Sequence, residues 1–264
     1  MDDGALVPLL APMLAWLLVG CRSWPPRPTS WLIAGISVLL AVSSTATLAV
    51  TAVNSFLSGD PTMGLLLAAL FAAATVSTGV AGWHRRLAWR IPVDGLAILP
   101  DDEPLAYALP GGVVVSRGMV RALHADQRRA LLAHERAHVS LRHHRFVLFV
   151  DLASAAQPLL WPLRAVVRYT VERWADEVAA TDTGDRVLTA RAVATAALAA
   201  RHSRLSVAAL GVSAGPVPQR VAALLTPARP RYRFLALLTL LVTAFVAAEA
   251  LEAMYDLWRQ IQTP

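Results

Sequence analysis

Ala130-Leu131-Leu132-Ala133-His134-Glu135-Arg136-Ala137-His138-Val139 is the stretch on which the reading of this chain turns. It places the pattern H-E-x-x-H on a run of good helix formers. Residues four apart lie about 40° apart around an α-helix and one turn along it, so both imidazoles can face one metal ion. The glutamate between them can reach a water on that metal without being a ligand, the layout of a zinc peptidase. Asp126 is the expected N-cap of this helix, which is predicted to run through Arg145 with Ala130, Ala133, Ala137 and Leu141 among its buried positions.

A catalytic zinc usually takes three protein ligands and leaves one position open. The best third candidate is Glu172 in Val171-Glu172-Arg173-Trp174-Ala175-Asp176-Glu177. Glu172 and Asp176 are also four apart and share a helix face. A helix docked on the first could bring Glu172 to the metal and let Asp176 accept a hydrogen bond from a ligand histidine, fixing its tautomer. The same spacing equally suits a solvated acidic face paired with Arg168 and Arg173.

The surroundings are apolar. The chain is 56% hydrophobic and 16% charged. Its runs Ala5 to Gly20, Trp31 to Val53, Thr62 to Trp83 and Phe234 to about Met254 are each read as a membrane span, roughly 20 residues being enough to cross. Arg22 and Arg27 follow the first run, Arg85, Arg86 and Arg90 the third, and Arg229, Arg231 and Arg233 precede the fourth. Acidic residues mark the other flanks: Asp2 and Asp3, Asp60, and Glu252 with Asp256. The alternation follows the positive-inside rule and predicts four spans, a cytoplasmic domain between the third and fourth, and both termini outside. The net charge of +6 thus belongs to membrane flanks, and no direct nucleic-acid partner is expected.

Residues 1–83 are therefore read as three transmembrane helices, 84–233 as a small α+β cytoplasmic metallopeptidase domain, and 234–264 as the fourth span with a short tail. The fold class is mainly α, a multi-pass membrane protein. Turn signals at Pro110-Gly111-Gly112 separate two predicted strands, Leu105 to Leu109 and Val113 to Ser116. Phe146 to Leu163 is apolar enough for a further span but holds Asp151, Pro158 and Pro162. A full crossing there would put Glu172 on the wrong side of the membrane from His134 and His138. The segment is expected to be buried or re-entrant instead. Cys21, the only cysteine, excludes an intrachain disulfide. Leu18-Val19-Gly20-Cys21 looks like a lipobox, but the acidic start Met1-Asp2-Asp3 favours a small residue at a span end.

H-E-x-x-H followed some 34 residues later by E-x-x-A-D, with Gly111-Gly112-Val113-Val114-Val115-Ser116 and Gly118-Met119-Val120 upstream, resembles the membrane-bound gluzincin peptidases. The layout of three spans, a peptidase domain and one more span is similar to the BlaR/MecR-type antirepressor peptidases, and the motifs also to the HtpX-like proteases. The resemblance implies a zincin-like domain binding one Zn2+ through His134, His138 and Glu172. It makes Glu135 the general base and Asp176 a support behind the ligands. The substrate it implies is a cytoplasmic or membrane-proximal protein, among them a BlaI/MecI-like winged-helix repressor. The alternatives are an HtpX-like quality-control protease and a non-catalytic scaffold with a structural zinc. Some relatives stabilise the oxyanion with a late histidine; Gly215 to Arg220 has none, which leaves Arg220 as a weak candidate better suited to starting a helix. His143 and His144 are expected at the end of the metal helix, complementing its dipole. His84, His124 and His202 are read as ordinary surface or packing residues.

Overall fold

The computed structural model describes residues 11–88, 93–200, 216–226 and 233–262. Two long helices come first, α1 (Pro26–Leu57) and α2 (Pro61–Ala88). The turn between them uses Gly59 at φ +82°, and Asp60 caps α2 by accepting from the Met63 N–H at 3.1 Å. A three-stranded sheet follows: β1 (Gly95–Leu99), β2 (Ala106–Leu109) and β3 (Gly112–Ser116) in the order β1-β3-β2. β3 is central and buried throughout, parallel to β1 and antiparallel to β2. Then come α3 (Arg117–Ala122), α4 (Ala125–Ser140), α5 (His143–Ala156), α6 (Leu163–Thr183), α7 (Arg186–Ala200), α8 (Val217–Leu225) and α9 (Arg233–Gln262).

Among the described residues, three helices are long and apolar enough to cross a membrane: Pro26–Leu57, Pro61–Leu87 and Ala236–Arg259. The second and third bury only 11% and 17% of their apolar windows within the protein, so most of their apolar surface points outward. Of the expected first span, Ala5 to Gly20, residues 5–10 lie outside the described residues. The rest falls in a 13-residue 3₁₀ segment, Ala11–Ser23, that packs inward through Ala15, Leu18 and Cys21. Four spans are therefore not shown. Apolar composition predicts where these side chains go but not the backbone that carries them.

The metal helix departs from its expected bounds at both ends. α4 begins at Ala125 with His124 at the cap position, where Gln127 accepts the His124 N–H at 3.0 Å; Asp126 sits in the first turn and pairs with Arg129. It ends at Ser140 rather than Arg145, because Arg142 takes the left-handed conformation (φ 53°, ψ 43°) and the chain restarts as α5. Ala130, Ala133 and Ala137 are buried as expected, and Leu141 is half-buried at the break.

Phe146 to Leu163 is not one continuous helix but the bend of a helical hairpin. α5 ends at Ala156, a 3₁₀ turn at Pro158–Leu160 reverses the chain, and α6 returns toward α4. A single apolar core runs through this hairpin and the long helices, joining Ile33, Ile36 and Leu40 of α1 to Phe146, Val150 and Val166. The sheet is tied to α3 through Ser116. Its hydroxyl donates to the Glu103 carbonyl at 2.6 Å and accepts from the N–H groups of Leu105 and Met119, capping α3. Gly118 is required at this junction, since a Cβ there would stand 2.1 Å from the Asp102 carbonyl oxygen.

Candidate active site

α4 packs on α6, and their facing stripes carry the cluster. His134 and His138 come from one turn of α4, Glu172 and Asp176 from one turn of α6. His134 Nε2 and His138 Nε2 are 3.2 Å apart. Glu172 completes the cluster, with Oε2 3.5 Å from His134 Nε2 and Oε1 3.4 Å from His138 Nε2. Ligand atoms that each stand 2.0–2.1 Å from one tetrahedral zinc are about 3.3 Å from each other. The separations are close to that spacing, and one donor atom from each of the three residues lies within 4.8 Å of the others, so the residues present fit a zinc ion.

The reading of Glu172 and Asp176 as a solvated face is excluded by burial: their side chains are 13% and 2% exposed. Arg168 is engaged with Asp151, and Arg173 donates to the Trp24 carbonyl at 2.8 Å.

Each imidazole is held from behind by a different group. His134 Nδ1 lies 2.9 Å from Asp176 Oδ1. Asp176 is itself gripped by Arg220 of α8, which donates from Nε at 2.7 Å and from Nη2 at 2.6 Å, while Nη1 stands 2.8 Å from Glu172. His138 Nδ1 faces His143 Nδ1 at 3.1 Å. His143 opens α5, is 1% exposed, and packs its ring against Trp174 at a centroid distance of 4.8 Å. The expectation that His143 lies at the end of the metal helix and complements its dipole is therefore corrected: it opens the next helix. The Arg142 turn swings it back onto the cluster. No helix spacing signals that contact in the sequence; only a further histidine close behind H-E-x-x-H hints at it.

The charges form one coupled set. Burial by itself disfavours a charged His134, but Asp176 and Glu172 outweigh it and raise its pKa to about 10. Burial dominates at His138 and lowers it to about 4, and at His143 to about 3. Glu172 and Asp176 are held below the usual carboxylate range: burial opposes this, and Arg220 with the histidines overrides it. Without a metal the pocket thus keeps a proton on His134, between two carboxylates that favour a positive charge. Glu135, 7% exposed, is raised to about 7, first by burial and then by Glu172, with His134 and Arg220 opposing.

His134, Glu135, Glu172 and Arg220 line one side of a cavity of about 720 Å³. Its other walls are apolar, from Met119, Leu131, Val193, Leu198, Val217 and Val221. Ala106 of β2 also lines it, from a strand with one sheet neighbour among the described residues. The structure therefore brings His134, Glu135, His138, Glu172, Asp176 and Arg220 together. His84 and His124 are exposed, and His202 lies outside the described residues.

A sequence model of peptidase family M48 matches residues 90–228, which include the sheet, α4, α6 and the Arg220 helix. Searches of curated proteins and of solved structures returned no match.

Proposed function

The chain belongs to peptidase family M48, the zinc metalloendopeptidases, and from that premise we propose how its residues divide the work and where it acts. His134, His138 and Glu172 hold the ion. The observation that carries this assignment is the buried cluster of donor atoms, with the two histidine Nε2 atoms 3.2 Å apart and a Glu172 carboxylate oxygen 3.5 Å from His134 and the other 3.4 Å from His138, one donor from each residue lying within 4.8 Å of the others. A zinc ion held there supplies Lewis acidity, which acidifies water and polarises the scissile carbonyl.

Glu135 is the general base. It takes a proton from the attacking water and returns it to the leaving amine. A carboxylate raised to about 7 suits both halves of that exchange near neutral pH. Asp176 fixes the His134 tautomer by accepting from Nδ1, leaving Nε2 free to bind. Arg220 is assigned to Asp176 and Glu172 rather than to an oxyanion, because its Nε, Nη1 and Nη2 are all committed to those carboxylates. The outer edge of β2 beside the cavity offers backbone groups to an extended peptide, and the apolar walls suit an apolar side chain next to the cut bond.

Three long apolar helices support a membrane-tethered enzyme. The charge flanks support a cytoplasmic site with substrates in the cytoplasm or at the membrane surface. A winged-helix repressor of the BlaI/MecI kind and damaged membrane proteins are the two substrate classes in view. Comparative proteomics of cells carrying wild type or Glu135→Ala tests the assignment. One or a few glutamate-dependent fragments support a repressor-type substrate, many fragments support quality control, and none rejects the peptidase reading.

A further inference from the structure

The α5–α6 hairpin turns back beside the long helices, and its depth can be read from its partners. α5 runs antiparallel to α2. Asp151 pairs with Arg85, Leu152 faces Gly82, and Ala155 accepts a hydrogen bond from the Ser77 hydroxyl at 2.6 Å. Arg85 and Arg86 sit in the last turn of α2 and mark its polar end. Ser77 lies eight residues earlier, which on a helix is about 12 Å deeper into the span. Ala155 lies at that depth, and the turn after it goes further.

We propose that the tip of this hairpin, from about residue 152 to 163, is a re-entrant membrane element whose outer face meets lipid acyl chains. The inference rests on the reading of α2 as a membrane span.

Three further observations fit it. No charged residue occurs between Asp151 and Arg164, and both of these pair back at the Arg85 level. Large apolar side chains point outward around the hairpin, with Trp161 66% and Phe149 45% exposed. Irregular backbone inside a bilayer survives only when protein covers it and its polar groups are paired. Here Leu160 and Leu163 are fully buried, and the turn closes through Gln157 N–H to Ala153 O and Trp161 N–H to Pro158 O. The Leu159 carbonyl accepts from the Trp16 indole N–H at 2.6 Å.

The consequence concerns substrate choice. His143 starts α5 twelve residues before Ala155, about 18 Å along the helix against about 12 Å from Ser77 to Arg85, so the metal cluster stands about 6 Å on the watery side of the Arg85 level. A site anchored at that height by both α5 and α6 reaches peptide bonds close to the membrane surface.

Spin labels on single cysteines, in the full chain in liposomes and on a Cys21→Ala background, test the proposal by collision with oxygen and with a water-soluble nickel complex. Val76→Cys, on the exposed face of α2, reports the span; Asp102→Cys reports water. Trp161→Cys and, as a second probe in case the first misfolds, Leu159→Cys report the hairpin tip. The expected result is that both hairpin labels meet oxygen in preference to nickel, as Val76→Cys does. Hairpin labels that behave like Asp102→Cys while Val76→Cys stays in lipid would overturn the proposal. Labels shielded from both reagents would overturn it too, by showing protein on that face. Nickel access at Val76→Cys would instead reject the span reading of α2.

Discussion

His134 and His138 are equivalent in the sequence motif and unequal in the structure. Behind His134 stands a charged pair, Asp176 held by Arg220; behind His138 stands a neutral ring, His143, packed on Trp174. The first support sets a carboxylate oxygen 2.9 Å from the imidazole Nδ1 and draws a positive charge into the pocket. The second only orients. For His138 to present the Nε2 lone pair to a metal, its Nδ1–H must donate to His143, which then serves as a neutral acceptor. One metal site is thus stabilised by electrostatics on one side and by packing on the other.

The largest test removes the difference altogether. His134→Ala and His138→Ala should each abolish tight zinc binding, measured by metal content after gel filtration, because two protein ligands do not make a stable site. A variant of either kind that keeps one zinc per chain would show that the cluster of donors is not the site.

Asp176→Ala comes next. Loss of a charged hydrogen-bond partner costs about 1.5–3 kcal/mol, so zinc affinity should fall roughly 10- to 100-fold. His143→Ala removes a neutral hydrogen bond worth about 1 kcal/mol, and zinc affinity should fall only about fivefold. Competition with a chromogenic chelator ranks the two. An equal or reversed order would break the comparison at its root.

Proton release separates the two sides further. In the metal-free pocket His134, raised to about 10, holds a proton at neutral pH, whereas His138, lowered to about 4, does not. Zinc must displace the His134 proton, so affinity should rise with pH through the neutral range and level off above about 10. Calorimetry in buffers of different ionisation enthalpy should show protons released on binding. Asp176→Asn should reduce that release and His143→Ala should leave it unchanged.

The smallest effect concerns the turn. Arg142→Gly suits φ 53° and should leave zinc affinity unchanged with at most about 1 kcal/mol gained in stability. Arg142→Val, a β-branched residue disfavoured at positive φ, should move His143 and reproduce the His143→Ala affinity loss.

The same asymmetry explains what the sequence could tell. His134, Glu135 and His138 were legible because helix periodicity alone puts them together, whereas for Glu172 and Asp176 the same periodicity left a ligand face and a solvated face equally open, and only the resemblance to the gluzincins favoured the first. His143 was hidden by one left-handed residue, since nothing marks an arginine as the point where a helix breaks. Arg220 was visible as a residue but not as the partner of Asp176, because their pairing depends on how α8 packs against α6. The long apolar runs identified three helices able to span. They said nothing of the 3₁₀ backbone at Ala11–Ser23, and β1 escaped because its outward Leu96 and Ile98 give no clean alternation.

The central claim, a zinc ion held by His134, His138 and Glu172 with Glu135 acting on water beside it, is tested most directly by purified Glu135→Gln. The account predicts one zinc per chain, as in wild type, with peptide cleavage reduced by about 10²- to 10⁴-fold or more. Cleavage at the wild-type rate by that zinc-loaded variant would contradict it.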